Sequence, residues 1–439
     1  MGSNVENLGA LERRFDITVS LEKLQDEIGN RLKRLVKTTK LQGFRPGKVP
    51  LRMVTQMYGA QVQQDVLNDA VHKEFTDTIK ELNLQVVGYP RFEAKSLNDN
   101  NAFYVFSATF EVYPKIVIGD LSEQNIQRPN VQVGDADIDK TLDMLRKQRV
   151  AYQSVTRSAK KSDRVKIDYH GVIDGRDFPG GEAKDIQLIL GAGKFLKEFE
   201  TSLIGMKMGN SKSFDVVFPE NYHDKDIAAK TVTFEVKLNA LEESVLPNLD
   251  ADFVKLLGIP DGDIKKLREG IQQDLEREVS KRARSKIKEQ IMQSLLDTTQ
   301  IDAPSILINQ EIERLMQQAR GNLEARGMKT KEISLTADLF KEKAEYRVKL
   351  GLILAELIKV HALKATPEQV RSIIEGAAQS YENPEQVIKW HYASSERLQE
   401  AESLALEENV VDWALKKIKL IDTTITFDEL MGIPDDTTI

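Results

Sequence analysis

The chain has 439 residues, enough for about three domains of ordinary size, and its 62 basic against 69 acidic residues leave a net charge of −7, which excludes a polyanion binder acting through bulk charge. The absence of cysteine excludes a disulfide scaffold, a thiolate nucleophile and an Fe–S cluster. The five histidines (His72, His170, His223, His361 and His391) stand singly, without paired ligand spacing, so neither a metal nor another cofactor is expected. The N-terminus lacks the apolar core of a signal peptide. The most apolar stretch, Leu350 to Val360, is interrupted by Glu356 and Lys359 and is too short to span a bilayer. A soluble, cytoplasmic protein is expected.

Along the chain, residues 1–113 open with the alternating run Phe15-Asp16-Ile17-Thr18-Val19, which predicts a half-buried strand. Ser20 then stands as N-cap of a helix with Leu21, Leu24, Ile28, Leu32 and Leu35 on one face. The loop Gly43 to Pro50 breaks it, and Pro50 suits the first turn of a second helix carrying Val62, Val66, Ala70, Phe75, Ile79 and Leu82. Strands are predicted over Gln85–Tyr89 and Ala102–Tyr113, completing an α+β module. Residues 114–150 read as a connector with one charged helix near Asp135 to Arg149. Residues 151–246 turn β-rich, with strand signals at Arg164–Tyr169, Asp185–Leu190, Lys212–Phe218 and Thr231–Leu241, a small antiparallel sheet domain. Residues 247–439 are helical, with apolar stripes from Ile264 to Leu295, from Ile306 to Ala319 and from Tyr346 to Ile358. The expected fold is therefore multidomain α+β, ending in an elongated all-α region whose long single-striped helices suggest extended arms.

One local charge asymmetry stands out. No acid occurs from Ile28 to Gln64, while Arg31, Lys33, Arg34, Lys37, Lys40, Arg45, Lys48 and Arg52 all lie there. Repulsion within such a patch is relieved by a phosphate backbone; the alternative is a solvated helix face with a chance turn. At its centre Phe44 lies close to Gly43 and Gly47, beside Arg45 and Lys48.

The loop Gly43-Phe44-Arg45-Pro46-Gly47-Lys48-Val49-Pro50 resembles the Gly-Phe-Arg-x-Gly-Lys-x-Pro signature of bacterial trigger factor, a family of ribosome-associated chaperones. Chain length, domain order, Asp163-Arg164-Val165, Leu190-Gly191-x-Gly193, Phe218-Pro219-Glu220-x-Tyr222-His223 and Phe427-x-Glu429-Leu430-Met431 are similar to that family too. The resemblance covers essentially the whole chain. It implies that Gly43, Phe44, Arg45, Pro46, Gly47 and Lys48 meet the large ribosomal subunit, protein and ribosomal RNA, beside the exit tunnel. It also implies that nascent and unfolded polypeptides are bound by the C-terminal helices, without ATP.

Within the β-rich segment, Ile167-Asp168-Tyr169-His170-Gly171, Gly175-Arg176-Asp177-Phe178, Phe199-Glu200 and Thr231 to Val236 resemble prolyl isomerases of the FK506-binding-protein type. Matched by position, Tyr169, Phe178, Ile186, Phe195, Leu196, Phe199, Tyr222 and Phe234 would line the apolar pocket, and the backbone N–H of Leu196 would hold a substrate carbonyl. Periodicity alone would favour an ordinary aromatic β-core; the matched order of motifs points instead to the pocket. The chemistry explains the lack of an acid, base or metal: prolyl isomerisation breaks no bond and twists an amide through a barrier of about 18–20 kcal/mol. Four positions depart from the family. Lys197-Glu198 replace the usual Pro-Gly, Pro179 replaces an acid, and Ile186 replaces a phenylalanine. They put catalytic strength, not fold, in question.

Asp135-x-Asp137-x-Asp139 imitates a calcium loop, but Lys140 and Arg146 stand where the turn glycine and bidentate glutamate belong, so an acid-rich helix start is expected. His170 and His223 are expected to pack or hydrogen-bond near the pocket, having no orienting partner evident in the sequence. The expectation is an ATP-independent, ribosome-docked chaperone with prolyl isomerase activity. The alternative is a stand-alone prolyl isomerase whose helical region only dimerises; a homodimer of the free protein is compatible with both.

Overall fold

The computed structural model describes the whole chain except residues 1–4, 42–43, 45–47, 98–102, 223–224, 226, 329–334, 380 and 434–439. It divides into two units, Met1–Arg128 with Ser285–Thr423, and Pro129–Arg284 with Thr424–Ile439. No helix among the described residues is long and apolar enough to cross a membrane.

The first unit begins with strands β1 (Glu6–Asn7) and β2 (Glu12–Ser20), helices α1 (Leu21–Thr38) and α2 (Leu51–Glu81), and strands β3 (Val86–Leu97) and β4 (Phe103–Val112). The antiparallel sheet order is β1-β2-β4-β3. The alternation in β2 does what its period requires: Phe15, Ile17 and Val19 are buried against Leu24 and Leu32 of α1 and Val62, Val66 and Phe75 of α2. Phe15 stacks on Phe75 with ring centroids 5.6 Å apart, and Phe110 meets both rings edge-on. Ser20 is the N-cap residue of α1, although its side chain makes no capping bond, and Pro50 is the N-cap of α2.

The second unit holds α3 (Asp135–Gln148), which follows β5 (Asn125–Asn130), and a five-stranded antiparallel sheet. Its elements are β6 (Ala151–Ser154), β7 (Arg164–Ile173), β8 (Arg176–Ile189), α4 (Lys197–Leu203), β9 (Ser211–Val217) and β10 (Thr231–Val245). β10 pairs with β6, β7 and β9. Its alternating Val232, Phe234, Val236 and Leu238 face a core shared with Val165, Ile167, Leu188, Phe199 and Leu203. Ala151 lies opposite Val245, so the chain enters and leaves this sheet at neighbouring positions. The acid-rich segment opens α3 as expected: Asp137 accepts the Gly134 N–H at 2.9 Å, and Asp135 and Asp139 bind Arg268.

The remaining elements are α5 (Ala251–Leu256), α6 (Ile264–Thr298), α7 (Ser305–Ala325), α8 (Asp338–Val360), α9 (Pro367–Ala378), α10 (Pro384–Tyr392), α11 (Ser395–Leu415), β11 (Lys419–Thr424) and α12 (Phe427–Met431). The C-terminal region is thus helical. The first half of α6 packs Leu267 and Ile271 with Ile138 and Leu142 of α3 in the second unit. Its second half packs Ile287, Ile291 and Leu295 with Ile353 and Leu357 of α8 and Val410 and Val411 of α11 in the first.

Candidate functional site

In the β-rich sheet, a cavity of about 430 Å³ opens between β7, β10, α4 and the loop joining β8 to α4. Tyr169 comes from β7, Phe178 from β8, Phe199 from α4 and Phe234 from β10, while Phe195 and Leu196 come from the loop and Tyr222 from the β9–β10 connection. Seven of the eight side chains expected at a pocket therefore line one cavity. The eighth, Ile186, packs against the same hydrophobic core but is not among the lining side chains.

The rings build the cavity by edge-to-face contact. Phe199, 2% exposed, and Phe234, 6% exposed, meet at 5.1 Å and 87°. Tyr169 stands edge-on to Phe195, Phe199 and Phe234 at 6.1, 6.0 and 5.8 Å. Phe195 stacks on Phe199 at 5.1 Å, and Tyr222 stands edge-on to Phe218 at 4.8 Å. Burial, and secondarily the neighbouring Tyr222, push the Tyr169 phenol above the ordinary tyrosine value, so it remains a neutral hydroxyl at physiological pH. Val216, Phe218 and Ile227 also line the cavity. The sequence reading missed them as site residues because Val216 and Phe218 read as strand and Ile227 sits in a connection without periodicity.

Two neighbours sharpen the geometry. Gly171 lies opposite Phe234 in the β7–β10 pairing, and a Cβ there would come within 2.5 Å of the Phe234 ring. The buried Glu200 of α4, 4% exposed, receives the backbone N–H groups of Gly191 at 2.8 Å, Gly193 at 3.3 Å and Phe195 at 3.0 Å. Its own N–H donates to the Leu196 carbonyl at 3.1 Å. His170 does have a partner: its Nε2 lies 2.9 Å from Asp177 Oδ1, on an exposed face, and it does not line the cavity. His223 is outside the described residues.

Such a cavity can take an apolar ring and an imide out of water. Transfer into low dielectric disfavours the charge-separated resonance form of the imide, which lowers the cost of twisting its C–N bond. Nothing in that step needs a proton donor or acceptor.

In the first unit, Leu41 and Val49 pack against the core of β2, α1 and α2, while between them Phe44 remains 39% exposed. Lys48 is exposed, as are Lys33, Arg34, Lys37, Lys40 and Arg52. Arg31 is engaged by Asp69 of α2 at 2.9 Å, so it is not part of an unopposed basic face. Gly43, Arg45, Pro46 and Gly47 lie outside the described residues.

Comparison with known proteins decides the family. The family described as bacterial trigger factor protein matches residues 1–145, and its C-terminal model matches 263–416. Residues 155–239 match the FKBP-type peptidyl-prolyl cis-trans isomerase family. The trigger factor of Nitrosospira multiformis is 53% identical over 433 residues, covering 98% of this chain and 100% of that one. The chain belongs to the bacterial trigger factor family. The trigger factor of Nitrosomonas europaea is 52% identical over the full length of both chains, and that of Nitrosomonas eutropha 48% identical over 98% of each. The protein is thus a chaperone of the trigger factor family carrying a peptidyl-prolyl isomerase domain of the FKBP type.

Proposed function

We propose that this chaperone docks at the exit tunnel of the large ribosomal subunit through Phe44, Arg45 and Lys48 and the basic flanks of α1 and α2. There it shields nascent chains on its C-terminal helices without ATP, in the cytoplasm, and isomerises prolyl bonds in the cavity around Phe199 and Phe234. The domain division that goes with this reading is 1–113 for docking, 151–246 for isomerisation, and 114–150 with 247–439 for the helical body. The observation that carries it is the aromatic cavity itself, walled by rings from four elements, with Leu196 in its lining. An exposed phenylalanine between half-buried Leu41 and buried Val49, flanked by exposed cations, supports the docking half.

Ribosome cosedimentation and a protease-coupled peptide isomerisation assay test both halves. Replacing Phe44, Arg45 and Lys48 by alanine releases the protein from ribosomes and leaves isomerisation intact, and binding of the wild type weakens as salt rises. Phe234→Ala lowers isomerisation steeply and leaves ribosome binding intact. Undiminished cosedimentation of the triple variant would remove the docking assignment and favour a free, dimerising isomerase. Full activity of Phe234→Ala would place the isomerase site elsewhere.

A further inference from the structure

We infer that Glu200 is a positioning residue for isomerisation, its buried carboxylate fixing the loop whose Leu196 N–H receives the substrate carbonyl; this rests on reading the aromatic cavity as the isomerase site. The loop from Gly191 to Leu196 supplies Gly193, Lys194, Phe195 and Leu196 to the cavity lining. Gly191 and Gly193 both sit at positive φ, at 88° and 73°, so their N–H groups converge on one point. The convergence point is Glu200: Oε2 takes Gly191 and Gly193, and Oε1 takes Phe195. A carboxylate buried to this extent is costly unless charge-assisted hydrogen bonds satisfy it, and here three backbone donors do so. The Phe195–Leu196 peptide, which carries the Leu196 N–H, is therefore clamped on both sides. Phe195 N–H is held by the Glu200 carboxylate and Leu196 C=O by the Glu200 N–H. Glu200 does not line the cavity, so it reaches substrate only through this loop.

The test uses the full chain with Glu200→Gln and Glu200→Ala, assayed on a proline-containing peptide with Phe234→Ala alongside. Glutamine keeps one acceptor oxygen and turns an NH₂ group toward backbone donors, so the loop loses part of its anchor while the walls from β7, β10 and α4 stay. The expected result for Glu200→Gln is a kcat lower by roughly 10- to 100-fold, the scale of a small misplacement of a catalytic donor, with KM within about twofold. Amide spectra should show the Gly191, Gly193 and Phe195 signals displaced and exchanging faster. Wild-type kcat in Glu200→Gln overturns the inference. So does a rise in KM matching the fall in kcat/KM at unchanged kcat, which would make Glu200 a support of the cavity as a whole. If Glu200→Ala fails to fold, the glutamine variant decides. Loss of activity in Phe234→Ala beside full activity in Glu200→Gln overturns this inference alone. Full activity in Phe234→Ala removes the site reading and this inference with it.

Discussion

Glu111 and Ile306 are joined across almost two hundred residues of sequence: one carboxylate oxygen of Glu111 accepts the Ile306 N–H at 3.1 Å, while the other accepts that of Ser305 at 3.1 Å. The N-cap residue of α7 is Pro304, which has no side-chain acceptor, so β4 supplies the cap that the helix lacks. Gly88 of β3, at φ 69°, makes room beside it; a Cβ there would lie 2.7 Å from the Ile306 side chain.

Removing that borrowed cap should loosen α7 from its first turn. Glu111→Ala is expected to cost about 1 kcal/mol, and Glu111→Gln less, because an amide oxygen still accepts but the favourable charge at the helix N-terminus is gone. Amide exchange at Ser305 and Ile306, with urea unfolding, measures both. Unchanged protection in Glu111→Ala would mean that α7 is held by its apolar face alone.

Gly171→Ala tests the cavity from the opposite side to Phe234→Ala. The new methyl would stand 2.5 and 2.8 Å from two Phe234 ring carbons, so the ring must move toward the cavity. Overpacking of this kind costs about 1–3 kcal/mol, and peptide isomerisation should fall with it. Suppression of aggregation of a proline-free client should be retained. Wild-type isomerisation in a folded Gly171→Ala chain would show that the ring's position is not critical.

Asp163 gives the β-rich sheet an acid dependence. Burial pushes its carboxyl up, but the Arg157 guanidinium, bound at 2.6 and 2.8 Å, and the Lys160 N–H at 2.8 Å outweigh that and hold it below the ordinary aspartate value. A depressed carboxylate stabilises fully above its unfolded value, about pH 4, and that stability disappears as pH falls through the lower folded value. Asp163→Asn should therefore cost about 2–3 kcal/mol at neutral pH, through a weakened partner for Arg157, and should flatten the acid limb of urea midpoints measured below about pH 4. An acid limb as steep as wild type would assign it to other carboxylates.

Lys197 and Glu198 replace a Pro-Gly pair typical of related isomerases, yet they distort nothing visible. Lys197 is the first residue of α4, where proline is tolerated, and Leu196 before it is already extended at ψ 139°. Glu198 accepts the Val217 N–H at 3.3 Å. Neither residue lines the cavity, so restoring Pro-Gly should leave kcat/KM within about twofold, at the loss of the Glu198–Val217 bond. A large gain would show that the rim residues restrain catalysis.

Much of this was legible in the residues. The alternation of Phe15, Ile17 and Val19, and of Val232, Phe234 and Val236, located two buried strand faces, and the order of motifs named most of the cavity side chains. What escaped was non-local. β3 runs on through Pro90 to Leu97, and β8 begins at Arg176, ahead of Pro179, Gly180 and Gly181, where turn-forming residues argue against a strand. Both are edge strands, and an edge can lose a ladder donor without breaking the sheet. The partner of His170 lies across the β7–β8 hairpin, and the anchoring work of Glu200 depends on where a loop folds back. Neither periodicity nor composition reports such pairings.

The β10 strand has a consequence in time. It is the last strand of its sheet to be synthesised, yet it pairs with three others, β6, β7 and β9, and carries Phe234 into the cavity. Until β10 itself has been made, β9 and β6 have no neighbour to join and the cavity has no back wall. Only the β7–β8 hairpin can form ahead of β10; β6, β9 and the cavity must wait for it.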